Sequence, residues 1–224
     1  MSLFSIDWNP LTEDPSKPTP SLNKSSVKSD PNKQQLDIYN DGNFAESLSF
    51  WGEDNVWREL EYLLNLTNGK VLDICCGVGG TIHKLKKYHE LDIHGFDISS
   101  FLIERAIDSG LDPNKLKVAN AIDTGYEDNF CDYSYSIGSL EHFIEDDIDA
   151  FLKETKRITG KASFHQIPVA LDKDFNGWLE LDQSYFNMPE KWWLAKFNKF
   201  FQDVKVVDSS WNDPISQGKW FICK

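Results

Sequence analysis

Cysteine is scarce in this chain of 224 residues, and no two cysteines form a C-x-x-C pair. Cys75, Cys76, Cys131 and Cys223 therefore predict neither a zinc site nor a disulfide framework, and they read as reduced, buried thiols. Long apolar runs are also missing. None approaches the roughly 18–20 residues that span a bilayer, and Met1-Ser2-Leu3-Phe4 lacks the basic start and apolar stretch of a signal peptide. The expectation is a soluble cytoplasmic protein that spans no membrane. Basic runs are absent as well; Lys84 to Lys87 reads as the wet face of a helix. With 23 Lys and Arg against 36 Asp and Glu, the formal charge is −13. Such a surface repels a nucleic-acid backbone and an anionic membrane. The acidic group Glu145, Asp146, Asp147 and Asp149 reads as a solvated helix start favoured by the helix dipole, so no metal is expected there or elsewhere.

What the chain does have is apolar and aromatic mass. Hydrophobic residues make up 40% of it, with eight Trp and fifteen Phe, enough for a sizeable core. Five of the nine prolines fall within residues 1–35, which predicts a flexible or extended arm whose Phe4, Ile6 and Trp8 can dock on the body. Residues 36–224 read as one domain, with 168–201 as an insertion on the acceptor side. Val56, Leu60, Leu63 and Leu64 fall at helical spacing. Strands and helices then alternate: strands at Val71 to Ile74, Leu91 to Phe96, Leu116 to Ala119, Cys131 to Ile137 and Lys161 to Ile167, with helices between them. A helix carries Trp192, Trp193, Phe197 and Phe200, and Val204 to Val207 and Lys219 to Cys223 close the chain as a hairpin. This predicts an α/β fold: a seven-stranded, mostly parallel sheet, helices on both faces, and an antiparallel C-terminal hairpin forming one edge.

In an open parallel sheet, ligands bind at the carboxyl ends of the strands. The loop after the first strand is glycine-rich here, and Gly77 and Gly79 let the backbone approach a ligand closely. A dinucleotide site needs a third glycine, where this chain has Ile82, and a phosphate-binding loop needs GKS or GKT, which is missing. What remains is Asp73, four positions before Gly77. A carboxylate there serves a ligand ammonium and gains nothing from a pyrophosphate. A second acid, Asp97, ends the next strand 24 residues later, near the roughly 20-residue offset of a ribose-binding acid. Its two oxygens can hold both ribose hydroxyls, and Ile98 can pack on an adenine ring.

Three segments carry a family resemblance: Val71 to Gly79, Gly95-Phe96-Asp97-Ile98-Ser99, and Tyr135 to His142. In order and spacing they resemble the successive motifs of class I, Rossmann-like methyltransferases that use S-adenosylmethionine (SAM), and most nearly the subgroup with Leu-Glu-His after the fourth strand. The resemblance runs from about Leu60 to the C-terminus. It implies that Asp73 and the loop Cys75 to Gly79 hold the methionine part of SAM, that Asp97 binds ribose, and that Ile98 flanks adenine. Gly138 and Ser139 then line the methionine side. Asn120, followed by Ala121, replaces the acid of a usual G-D-A segment; its amide carbonyl can still meet adenine N6. The implied product is S-adenosylhomocysteine. A second likeness, Leu181-Asp182-Gln183-Ser184-Tyr185 followed by Trp192-Trp193 and Phe197, resembles a D-x-T-H…WW…F stretch of methyltransferases from bacterial surface-glycan and secondary-metabolite pathways; Ser184 and Tyr185 depart from it.

An oxygen nucleophile needs a base. His142 is the first candidate and His165 the second. Glu141 and Asp182 are placed to orient or assist, and Tyr185, Trp178 and Trp51 to form an apolar or sugar-stacking wall. Tyr39 and Trp51 are candidates for closing over the site. The leading expectation is O- or N-methylation of a small-molecule acceptor, with a sugar or glycan precursor as its refinement. A nucleic-acid acceptor is disfavoured: Ile137-Gly138-Ser139-Leu140 stands where amino-methylating DNA enzymes have N/D-P-P-Y/F. A protein acceptor, or a SAM-binding subunit without turnover, remains as the alternative.

Overall fold

The computed structural model describes residues 33–52, 55–65, 67–88, 90–171, 176–181 and 183–224. Nearly all of the expected N-terminal arm, and Asp182, lie outside the described residues.

The sheet begins at β1 (Gly69–Ile74), and β2 (Leu91–Asp97) and β4 (Cys131–Ile137) flank it in parallel. β3 (Leu116–Val118) extends one side; β5 (Thr159–Ala170), β9 (Ser216–Cys223) and β8 (Val204–Asn212) extend the other, giving the order β3-β2-β1-β4-β5-β9-β8. Chain order reverses at β1, so the carboxyl ends of β1, β2 and β4 frame a crevice. β9 runs antiparallel to both neighbours, β5 and β8. The β8–β9 hairpin therefore forms one antiparallel edge of the sheet, as the sequence suggested, with β9 the inner of its two strands.

Side chains of β1 alternate between two cores. Leu72 and Ile74 join Phe96, Phe151, Trp193, Phe197 and Phe221 beneath α5 (Glu145–Ile158) and α6 (Glu190–Phe197). Val71 joins Ile93, Tyr135, Leu60 and Leu85 on the face covered by α2 (Val56–Leu64), α3 (Gly80–Leu85) and α4 (Ser100–Asp108). Burial on both sides explains why Val71 to Ile74 reads as an apolar run broken only by Asp73. The Ser99 hydroxyl caps α4, accepting from Leu102 N at 3.2 Å.

Three features differ from the expectation. β5 continues past Ile167 to Ala170 because β9 pairs with it along its length. The insertion folds as a two-stranded ribbon, β6 (Gly177–Leu179) and β7 (Tyr185–Asn187), followed by α6. A helix α1 (Gly42–Leu48), capped by Asp41, precedes α2 after a short 3-10 turn at Asp37–Asn40. Among the described residues no helix is long and apolar enough to cross a membrane.

Candidate active site

β1 delivers Asp73 to the carboxyl edge of the sheet. The side chain is buried, and the Thr81 hydroxyl in α3 donates to Oδ2 over 2.5 Å. Tyr135 of β4 backs that contact, donating to Thr81 Oγ1 at 3.2 Å. Beyond Asp73 the backbone enters the left-handed region at Cys75 (φ 59°), Gly77 (φ 53°) and Gly79 (φ 76°). At Gly79 a Cβ would lie 2.3 Å from Leu111 Cδ1, and any side chain is strained at φ 76°, so both space and backbone favour glycine. Cys75 adopts this conformation with a side chain, at a cost of about 1–2 kcal/mol.

Asp97 ends β2. Its Oδ2 accepts the Gly77 N–H and its Oδ1 the Ser99 N–H, both at 2.9 Å. Asp73 pairs with Gly95 in the parallel register, so Asp97 lies two residues further along on the same sheet face. Among the described residues no lysine or arginine pairs with either acid. Burial pushes the Asp73 carboxyl up to about 7, and the neighbouring charge of Asp97 adds to the rise. Burial raises Asp97 as well, against the pull of its backbone donors. Two buried acids without a cation partner leave an electrostatic debt that a cationic ligand relieves.

Ile98 is half-buried beside Asp97. Asn120 is exposed, and its Oδ1 accepts from Ile122 N at 3.2 Å, so the carbonyl expected to meet adenine caps its own turn. The Ala121 methyl packs into the core under α5.

The loop after β4 forms the opposite wall. Gly138 takes φ 58°, Ser139 donates to Ile137 O at 3.1 Å, and a one-turn 3-10 helix at Leu140–His142 follows. Glu141 is buried, and its Oε2 has no hydrogen-bond partner among the described residues. Burial pushes its carboxyl up to about 8. His142 Nδ1 lies 2.8 Å from the Ser184 carbonyl oxygen. A carbonyl only accepts, so Nδ1 carries the hydrogen and Nε2 keeps a bare lone pair. That Nε2 is 3.9 Å from Glu141 Oε1. Burial holds the imidazole pKa down to about 4, and it stays neutral at pH 7. Tyr185 meets the His142 ring edge-on at 6.1 Å, and its hydroxyl reaches Ser216 at 3.4 Å. Trp178 is half-buried, edge-on to Phe186 at 4.8 Å, one ring removed from this wall.

The N-terminal turn spans both walls. Ser99 Oγ donates to Tyr39 O at 2.9 Å, Gln183 Nε2 reaches the Tyr39 hydroxyl at 3.5 Å, and Ser184 N donates to Gln35 Oε1 at 2.8 Å. Burial raises the Tyr39 phenol far above its usual range, and the charges of Cys75, Asp97 and Glu141 act on it together. Burial and the charges of Asp97, Asp73 and Glu141 likewise push the Cys75 thiol far up. These groups therefore lie near one another at the carboxyl ends of β1, β2 and β4.

His165 does not belong to it. Its ring is fully buried between Phe151 of α5 and Phe197 of α6, with Nδ1 2.8 Å from Ser136 Oγ. Ser136 and His165 are cross-strand partners on β4 and β5, and their parity sends both side chains into the core opposite Asp73. Sequence reasoning passes over Thr81, Tyr135 and Gln183, because each acquires its partner only when distant elements fold together. Among the described residues no group of three or more His, Cys, Asp or Glu is arranged to hold a metal.

Residues 71–161 match the family described as a methyltransferase domain. Over 105 residues, 44% of the chain, the sequence is 33% identical to phosphoethanolamine N-methyltransferase 3 of Arabidopsis thaliana, and it spans only 21% of that protein's length. Among solved structures, an S-adenosylmethionine-dependent methyltransferase from Clostridium acetobutylicum superposes with a TM-score of 0.63 at 14% identity, over 81% of this chain and 97% of that one. Phosphoethanolamine N-methyltransferase 2 of Haemonchus contortus, solved with phosphomonomethylethanolamine and S-adenosylhomocysteine, gives 0.59 at 15% identity, over 80% of this chain and 56% of that one. At these identities the solved structures establish a shared Rossmann-like fold.

Proposed function

For a chain whose residues 71–161 match a methyltransferase-domain family and lie in a Rossmann-like sheet, we propose transfer of the SAM methyl group to an oxygen or nitrogen of a small molecule. The observation that carries this reading is the pair Asp73 and Asp97: both buried, both on one face at the crevice, neither neutralised by a cation among the described residues. SAM bears a sulfonium and an ammonium, which suits such a pair. Asp73 and the loop 75–79 would hold its methionine part, Asp97 its ribose, and Ile98 its adenine, with Gly138 and Ser139 on the methionine side. Bound there, SAM supplies a methyl group already activated on sulfur, so the protein chiefly orients the reactants and excludes water.

The acceptor side is the wall of Glu141, His142 and Tyr185. The bare Nε2 of His142 accepts a hydrogen bond from an O–H or N–H acceptor and aims its lone pair. Two relatives are named for N-methylation of phosphoethanolamine, which supports nitrogen among the acceptor atoms. A sugar acceptor has weaker support. Trp193 is fully buried and Trp192 packs on Phe186 and Trp193, so these two rings serve the core rather than a stacking wall. The net charge of −13 supports a partner that is neither nucleic acid nor an anionic membrane.

Incubation with methyl-labelled SAM and a panel of small amines, phenols and hydroxy compounds tests the reading. Label is expected on an oxygen or nitrogen of one class. SAM binding with no transfer to any acceptor would favour a non-catalytic SAM-binding subunit.

A further inference from the structure

We propose that the wall of Glu141, Tyr39, Trp51 and Tyr185 is a cation box, and that the methyl acceptor enters it as an ammonium whose nitrogen is then methylated. The inference rests on the methyltransferase reading and names the acceptor class.

Glu141 is the anomaly that calls for a ligand. A buried carboxyl oxygen with no partner among the described residues costs free energy, and native structures keep such groups where something else satisfies them. With Asp73 and Asp97 assigned to SAM, Glu141 is the acid left over in the crevice. The rings around it select a cation. A Cβ built on Gly138 would lie 3.4 Å from the Trp51 ring and 3.7 Å from Glu141 Oε1, so indole and carboxyl flank the same point. Tyr185 meets the neighbouring His142 ring edge-on at 6.1 Å, and Gln183 reaches the Tyr39 hydroxyl at 3.5 Å next to the Ser184 carbonyl that holds His142. A carboxyl with aromatic rings gathered beside it is a chemistry that recognises ammonium groups. Beside it, the bare Nε2 of His142 offers a second acceptor at 3.9 Å from Oε1. Two acceptors side by side suit a group with several N–H bonds better than a single hydroxyl.

The box also accounts for the proton. An ammonium has no lone pair and cannot attack. The entering ammonium favours the ionised form of Glu141; one N–H proton then passes to that carboxylate, and His142 Nε2 holds a second N–H. The freed nitrogen pair forms the N–C bond to the methyl carbon, and the C–S pair returns to sulfur. The products are the methylated ammonium, a neutral thioether and a protonated Glu141, and the charges balance.

The test uses the full chain saturated with S-adenosylhomocysteine. Ethanolamine, a primary ammonium at neutral pH, is titrated calorimetrically, and in parallel its uncharged isostere propan-1-ol. Ethanolamine is expected to bind at least about tenfold more tightly than the isostere. Glu141→Gln, which keeps the shape, should erase that difference while S-adenosylhomocysteine affinity stays within about twofold. Trp51→Leu should weaken ethanolamine several-fold by an independent route. Equal binding of the two probes, an unaffected Gln variant, or no ethanolamine uptake by protein that does bind S-adenosylhomocysteine would overturn the cation box alone. Failure to bind S-adenosylhomocysteine would sink the methyltransferase reading, and the box with it.

Discussion

The backbone N–H of Gly77 meets Asp97 Oδ2 across 2.9 Å, tying the glycine-rich loop that leaves β1 to the carboxylate that ends β2. One acid thus holds the loop and still has oxygen lone pairs for a ligand. Gly77 takes φ 53°, and a Cβ there would press to 3.0 Å from Leu48 Cδ1 of α1, so the N-terminal helix lies directly on the loop. Loop, acid and covering helix form one preorganised unit.

The Asp73 carboxyl, raised to about 7, makes SAM affinity depend on pH. Only the ionised form pairs with an ammonium, so affinity should fall as pH drops through about 7, by up to about tenfold per unit. Ligand-free stability carries the opposite sign. An acid raised above its unfolded value favours folding at low pH and loses that advantage as pH rises through the folded pKa. Asp73→Asn should therefore flatten the affinity profile and melt higher than wild type at about pH 8, an advantage that shrinks as pH falls and is gone near about pH 4. Calorimetry and thermal melts across this range check both signs.

His142 should stay neutral, with hydrogen on Nδ1, from pH 7 down to about 5, because burial holds its pKa down to about 4. Nitrogen NMR of the imidazole reports the tautomer directly. His142→Ala should lower kcat by roughly ten- to thousandfold while leaving SAM affinity nearly unchanged. A comparable loss of SAM affinity would place the ring on the cofactor side instead.

His165 is predicted to act on stability. His165→Ala opens a cavity between Phe151 and Phe197 and should cost about 2–4 kcal/mol. The activity of the folded fraction should hold within about twofold. The wild-type ring, held down to about 3 by burial, must stay neutral in the fold. Its contribution to stability is present above about 6.5 and is lost as pH falls towards 3. Urea melts of both proteins between those limits separate this slope from other groups.

Sequence alone reveals the parts of the fold governed by local period. Val71 to Ile74 is a short apolar run because both faces of β1 are covered there, and Ser99 announces α4 as its cap. Asp73 and Asp97 stand out as acids at the carboxyl ends of their strands. What pairing decides is invisible to such reading: the extension of β5 to Ala170 along β9, and the inward place of β9. α1 was hidden by its brevity, although Asp41 caps it and Phe44 and Ala45 bury its inner face. The two histidines differ by strand parity and neighbouring helices, which spacing cannot express. His142 leaves β4 in a turn at the crevice, and His165 lies within β5 and faces the core.

Calorimetric titration of SAM into the wild-type chain and into Asp97→Asn tests the central claim most directly. The wild type should bind at a single site, and the variant about ten- to hundredfold more weakly, the worth of a hydrogen bond to a charged group at about 1.5–3 kcal/mol. A wild-type chain that takes up no SAM, or an Asn variant that binds as tightly, would contradict the claim.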